Sequence, residues 1–206
     1  MSPEPITAER TYQQLKQEIV VGDHKPGIQL NLQRLADRFG TSVTPVRDAV
    51  HRMVGERFLE LHPGGGFHLP VPTAEWLHDL YEWNDQLVRQ ALRRPLPEEA
   101  IVTLAEFKVE HNDPRQLACW ASTFFSLVAF HSCNAEFVHA IENVSDRLLL
   151  ARLKEPALLK SMSGEAESMV AVAKDGSASA IRRAVWEYHR RRLRRTDRIA
   201  AALISG

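Results

Sequence analysis

Three groups of residues in this 206-residue chain have types and spacings that could do chemistry. Arg182, Arg183, Arg190, Arg191, Arg192, Arg194, Arg195 and Arg198 crowd the last stretch, where a basic helix could hold phosphate. Gly64-Gly65-Gly66 has the backbone freedom of a phosphate-cradling loop. His189 stands beside Trp186 and Tyr188, and an imidazole among aromatic rings suits a small-molecule pocket. None of the three completes a catalytic motif. The glycines lack a following Lys-Ser/Thr and helix, so a hairpin tip explains them better. A nucleophile elbow, His-Glu-x-x-His and paired cysteines are all missing. The chain is therefore read as no enzyme, with no catalytic residue. The arginines are read first as a solvated or acid-paired helix face. Cys119 and Cys133 lie in apolar helical sequence and are expected to be small buried hydrophobes rather than a disulfide.

The elements that must position these residues are bounded by composition. Lys+Arg and Asp+Glu number 26 each, and 44% of residues are hydrophobic, as in a globular chain. The neutral total hides three parts. Residues 1–73 hold eight basic and eight acidic side chains, 74–181 ten and sixteen, and 182–206 eight and two. The longest apolar run, Phe124 to Phe130 with Ser126 interrupting it, is far below the roughly 20 residues of a membrane span. The N-terminus has no cationic region followed by an apolar stretch, so a cytoplasmic protein without a membrane partner is expected.

Tyr12, Leu15 and Ile19 fall at helical spacing and stop at Gly22. Asn31 is a candidate N-cap for a short helix through Leu32, Leu35, Ala36 and Phe39 that stops at Gly40. After Thr41 and Ser42, Val46, Ala49, Val50, Met53 and Val54 line a third helix, so the pair reads as a helix-turn-helix. Phe58–Leu61 and Phe67–Leu69 bracket the glycines as a hairpin. The order makes a winged helix-turn-helix over residues 1–72. Pro70, Pro72 and Thr73 form a stiff linker to residues 73–206, read as an all-helical bundle of five or six helices. One of these carries Trp76, Leu80, Trp83 and Leu87 on a face and ends near Pro95. Others run from Glu98 to Val109, before a turn at Asn112-Asp113-Pro114, and then over 115–132, 134–153, 165–174 and 179–203. The fold class is mainly α.

The stretch Tyr12-x-x-Leu15-Lys16-x-x-Ile19-x-x-Gly22, Lys25-Pro26-Gly27, Leu35-Ala36, Ser42-Val43-Thr44-Pro45-Val46-Arg47-Asp48-Ala49-Val50 and the glycine hairpin resembles the DNA-binding domain of GntR-family transcriptional regulators. The helical remainder resembles the ligand-binding FCD domain of the FadR-type subfamily. The resemblance implies that the helix after the Ser-x-Thr-Pro turn enters the major groove. Ser42 and Thr44 would then be donors to phosphate or base, and Pro45 would set the first turn. Arg47 would contact base or phosphate, since a guanidinium can bond guanine bidentately. Gln33 and Arg34 on the preceding helix, and His62, Gly64, Gly65 and Gly66 in the wing, complete the implied DNA surface. The family often has arginine at Val43 and a basic residue at Gly65, so a weaker or differently targeted DNA contact with shallow salt dependence is expected.

Many FCD domains hold a divalent metal through an Asp and a His one turn later plus two further histidines. Taking Asn134 as the anchor of the comparison, those positions fall on Ala121, Phe125, near Glu167, and His189. Two of the four cannot ligate, so no bound metal or other cofactor is expected. The effector pocket is expected among Phe124 or Phe125, Trp83, Trp186, Tyr188 and His189, with Glu167 near it. Asn84 and Val88 stand where relatives often have Arg and Glu. The effector is then either more apolar than the small organic acids common in the family, or held by Arg89, Arg147 or Arg152. The function these features imply is a ligand-responsive DNA-binding regulator, a repressor acting as a homodimer on a two-fold symmetric operator. The alternative is a ligand-binding or protein-interaction relative that has lost specific DNA binding, for which Val43 and the neutral N-terminal segment speak.

Overall fold

Helical periodicity governs nearly all of the chain. The computed structural model describes residues 5–93, 95–106, 113–175 and 177–205, and within them lie ten helices and one small sheet. The chain divides into two compact units, Met1–Val71 and Pro72–Gly206.

The first unit contains α1 (Pro5–Val21), α2 (Leu32–Phe39), α3 (Val43–Gly55), β1 (Glu60–Leu61) and β2 (Phe67–His68). Tyr12, Leu15 and Ile19 of α1 meet Val46, Val50 and Met53 of α3 in a core closed by Leu35, Phe58, Phe67 and Leu69. Asn31 caps α2, its Oδ1 accepting from the Arg34 N–H at 3.0 Å, and Gly40 ends the helix at φ 64°. The strands are shorter than the hydrophobic pattern suggests. Arg57 adopts φ 62°, and the Phe58 and Leu59 N–H groups donate back to the Met53 carbonyl, so both residues still terminate α3. β1 and β2 pair antiparallel with Glu60 opposite His68 and Leu61 opposite Phe67, and a bridge between Gln29 and His68 adds a third segment.

The second unit contains α4 (Ala74–Ala91), α5 (Glu98–Glu106), α6 (Pro114–His131), α7 (Ala135–Leu158), α8 (Met162–Lys174), α9 (Ala178–Leu193) and α10 (Thr196–Ile204). Seven helices stand where five or six are expected, because the terminal periodic run breaks. The Arg195 N–H donates to the Arg192 carbonyl in a turn, after which Ile199 and Ala200 pack into the core. α7 runs beyond Leu153 to Leu158 with Pro156 in its last turn, where a proline removes only one helical hydrogen bond. The expected end of α5 at Val109 and the turn residue Asn112 lie outside the described residues. Thr73, Asp113, Asn134 and Ser177 are N-caps whose side chains accept backbone N–H bonds. The core centres on α4, α6, α7 and α9, with Phe124, Phe125, Leu148, Ile141 and Val185 fully enclosed. Cys119 and Cys133 are free and exposed rather than buried. The buried stripe of α6 runs through Leu117, Ala118, Trp120, Ala121 and Phe124, which leaves Cys119 on its outer side. Among the described residues no helix is long and apolar enough to cross a membrane.

Candidate nucleic-acid interface and interior pocket

Because Pro45, Val46, Ala49, Val50 and Met53 turn inward, Thr44, Arg47, Asp48 and His51 share the exposed face of α3. Ser42 is the N-cap, yet its hydroxyl makes no cap bond. Among the described residues Thr44 and Arg47 have no hydrogen-bonded or ionic partner either. Neither Asp48 nor Glu56 engages Arg47; Glu56 accepts from Tyr12 and from Arg52 Nε at 2.9 Å. The neutral charge of this unit is therefore unevenly spent. Glu18 pairs with Arg38 and His24, and Glu9 with Arg52, while Arg34 and Arg47 have no ionic partner among the described residues. Gln33 is exposed and donates to Asp37 at 2.9 Å. Val43 is half-buried and packs against the core, and Pro45 is buried, so neither offers a polar contact. His51, one turn beyond Arg47 and with its ring 5.0 Å from Phe67, is a face residue missed by the sequence reading, although the i, i+4 spacing marks it.

The wing tip is built on its glycines. Gly65 and Gly66 adopt φ 90° and 89°, and a side chain on Gly66 would strike the Gln29 side chain. The His62 N–H donates to the Gly66 carbonyl and the Gly65 N–H to the His62 carbonyl. His62 Nδ1 accepts from the Gly64 N–H at 3.2 Å, and its ring lies 5.0 Å from that of His68. Gly64 and Gly65 are exposed.

In the helical unit, Asn84, Phe125 and His189 do come together. His189 is fully buried, with Nδ1 2.8 Å from the Val185 carbonyl and Nε2 2.8 Å from the Asn84 side-chain oxygen position. Burial first, and the neighbouring Arg192, Arg152 and Arg89, push its pKa well below the usual value. A neutral ring whose Nδ1–H donates to Val185 presents a lone pair at Nε2, so the Asn84 amide must donate there. The Phe125 ring lies 5.5 Å away.

The other expected pocket residues are elsewhere. Trp83 and Trp186 are 53% and 40% exposed, and Arg190 covers the Trp186 ring. The buried set of α4 includes Leu77, Leu80, Tyr81, Asn84, Leu87 and Val88, which rotates Trp83 to the flank. Glu167 is exposed; Glu165, two residues earlier, points inward. Its carboxylate takes Arg192 Nη2 at 2.8 Å and Arg191 Nη1 at 2.8 Å. Arg192, itself fully buried, also donates from Nε to Glu155 at 3.0 Å, and Glu155 accepts from Tyr81 Oη at 2.5 Å. These contacts raise the Arg192 pKa against its burial, and burial pushes Tyr81 up and Tyr188 to about 12. Arg182 and Arg183 are likewise tied to the Leu92 carbonyl and Glu187.

Beside this network is a pocket with room for about one water molecule, lined by Trp120, Ala121, Arg152, Glu155, Tyr188 and Arg192 with Leu117, Met162 and Glu165 around it. Of the three arginines considered for a ligand, Arg89 is committed to Asp85 at 2.6 Å and Arg147 stacks 5.5 Å from the Trp76 ring. Only Arg152 among them lines the pocket. The donor set expected of an FCD metal centre does not fit one. Ala121 and Phe125 carry no donor, Glu167 faces out, and both His189 nitrogens are engaged. Among the described residues no group of three or more His, Cys, Asp or Glu is placed to hold a metal ion.

Comparison with known proteins gives this arrangement its context. Residues 7–69 match the model of the bacterial regulatory proteins, gntR family. The chain is 29% identical over 137 residues to the Nta operon transcriptional regulator of Aminobacter aminovorans, covering 62% of this chain and 65%, a little under two thirds, of that one. The fold resembles E. coli McbR/YncC at TM-score 0.69 and 20% identity, over 92% of this chain and 96% of that one. It also resembles a GntR family transcriptional regulator from Pseudomonas syringae pv. tomato at TM-score 0.54 and 19% identity, over 100% and 91%. The Aminobacter aminovorans and Pseudomonas syringae proteins are both transcriptional regulators. Residues 7–69, the winged helix-turn-helix, thus carry a gntR-family domain, and a helical unit follows it.

Proposed function

We propose that this regulator reads a two-fold symmetric operator as a homodimer, with α3 in the major groove and the wing against the backbone, and that an effector bound in the helical unit changes its grip on DNA. The observation that carries the reading is the set of unpartnered donors on one surface. Ser42, Thr44 and Arg47 lie at the start and on the exposed face of α3, with Arg34 on α2. Donors without an internal partner break no protein contact on meeting DNA, and a guanidinium two residues after a buried Pro45 can reach a base edge or phosphate. Gln33 would exchange its Asp37 bond for a backbone contact, and His62 with Gly64, Gly65 and Gly66 would follow the adjacent phosphates. Val43 supplies methyl groups rather than a hydrogen bond.

In the helical unit the effector reading rests on a pocket bounded by α6, α7, α8 and α9. Asn84, Phe125 and His189 form its inner support, while Trp83, Trp186 and Glu167 are left to surface roles. No catalysis and no metal enter this reading. The protein works in the cytoplasm, where its DNA is, as a repressor released by its effector. Binding and release are linked reciprocally, so effector and operator must shift each other's affinity by the same factor. Residues 1–72 serve DNA and residues 73–206 serve effector binding and dimerisation, as in an FCD-type regulator. Selection of fragments from genomic DNA by the purified protein tests this. Enrichment of a symmetric sequence, lost in Arg47→Ala, is the expected result. Recovery of random DNA by both proteins would instead favour a relative that has lost specific binding.

A further inference from the structure

Arg152 is a buried arginine with no carboxylate partner among the described residues. It is 1% exposed, its Nη1 donates to Ser122 Oγ at 3.2 Å and to the Ser145 carbonyl at 3.4 Å, and its guanidinium stands 5.0 Å from the Phe125 ring. Its Nε and Nη2 find no hydrogen-bond partner among the described residues. The two acids of the neighbourhood are already engaged. Glu155 holds Tyr81 and Arg192, and Glu165 holds Arg191 and Arg192. Three guanidinium groups thus face two carboxylates.

An arginine does not deprotonate inside a protein, so burial cannot relieve this excess in the way it relieves His189. A desolvated cation with unused donors is strongly unfavourable until an anion meets it. The Tyr188 hydroxyl is also buried without a partner, and it lines the same pocket as Arg152. Arg152 and Tyr188, each with buried donors left unused, thus line one space no larger than a small polar group, flanked by Leu117, Trp120 and Met162. A neutral ligand would satisfy the donors and leave the charge.

We propose that Arg152 and Tyr188 bind one compact anionic group in this pocket, either the carboxylate of a small acid or a free inorganic oxyanion. Arg152 supplies the forked donor pair, which matches two oxygens of one anion, and Tyr188 supplies a third bond. The site deepens the effector reading above, and it rests on that reading only for its coupling to DNA.

The test uses the full chain in sodium gluconate of constant ionic strength, with thermal melting and calorimetry. Formate, acetate and nitrate are titrated against formamide and acetamide. At least one anion should raise the melting temperature saturably while both amides do nothing. Response to formate or acetate alone marks a carboxylate site, and response to nitrate marks an inorganic oxyanion site. Arg152→Met, which removes the unpaired charge but keeps the volume, should melt no lower than the parent in gluconate and should ignore the anion. Tyr188→Phe should weaken binding roughly tenfold. If Arg152→Met does not fold, Arg152→Lys keeps the charge without the fork and should also bind roughly tenfold more weakly. The proposal is overturned if no anion outdoes the amides, or if the Arg152 variants bind as the parent does. An anion that binds without altering operator affinity refutes the effector reading and leaves the site standing. Operator affinity that answers a neutral compound, with no anion bound, does the reverse.

Discussion

Asn84 on α4 and His189 on α9 are joined at 2.8 Å in a fully buried contact across 105 residues of chain. The pair closes the inner wall of the helical unit, and its protonation state bears on stability. His189 has a pKa well below its ordinary value, because burial disfavours the imidazolium and Arg192, Arg152 and Arg89 add repulsion. The hydrogen bond to the Val185 carbonyl offsets this only in part, and Asp85, 3.5 Å from Nδ1, is held by Arg89.

The unfolded chain therefore binds a proton at His189 that the folded chain refuses. Stability is full above the unfolded pKa of about 6.5 and falls as pH drops below it, by up to about 1.4 kcal/mol per pH unit. Below the folded pKa the loss from this group is complete. Urea unfolding at pH 7.5, 6.5 and 5.5 should show this slope, and His189→Gln should flatten it. An equal slope in the variant would assign the effect to other groups.

Arg47→Ala should leave the melting temperature nearly unchanged, since the side chain is exposed and has no ionic partner among the described residues. Its cost should fall on DNA, at roughly 1 to 3 kcal/mol if it reads a base. Fluorescence anisotropy on a selected operator and on a scrambled one separates base from phosphate contact, because a phosphate contact weakens both equally.

Salt dependence follows from the same surface. Each phosphate contact contributes about 0.9 to the slope of log K against log salt. Arg34 on α2 and Arg47 on α3 have no ionic partner among the described residues, and with these two as the groups that meet phosphate the slope should be shallow. Titration from low to moderate salt measures it, and a steep slope would require basic groups from outside this face.

Gly66→Ala should destabilise the N-terminal unit more than Gly65→Ala. Both residues have positive φ, a cost of roughly 1 to 2 kcal/mol for an L side chain. A methyl at Gly65 meets open space, while one at Gly66 meets Gln29. Denaturant melts of the two variants, with operator binding as a second reading, test the order.

Glu155→Ala should cost the helical unit about 3 to 5 kcal/mol, since it strands Tyr81 and half of Arg192. In Glu155→Ala with Arg192→Met the loss should be smaller than the sum of the single losses. Additive losses in urea unfolding would mean that the pair does not act as a unit.

The N-terminal unit was legible because its signals are local. Asn31 caps, Gly40 stops, Pro45 starts the next helix and Gly65-Gly66 turn the wing, each through the backbone of a few neighbouring residues. The exposed face of α3 follows from the same periodicity. Even there, Phe58 and Leu59 read as strand but finish α3, because the left-handed turn at Arg57 sends their N–H groups back to Met53.

In the helical unit the residue types alone could give helices, an aromatic interior and a cluster of eight arginines near the end, but not which arginine meets which acid. Periodicity tells a helix which of its residues share a face; it does not say how that face is turned or what lies opposite. Packing turned Trp83 and Trp186 outward, brought Glu165 rather than Glu167 inward, and gave Arg192 two carboxylates while leaving Arg152 none. Those pairings join residues tens of positions apart, and their energies depend on burial that exists only once the helices are assembled. The sequence by itself determined the winged helix-turn-helix and the exposed face of α3; tertiary structure alone decided where the helical unit holds an unanswered charge.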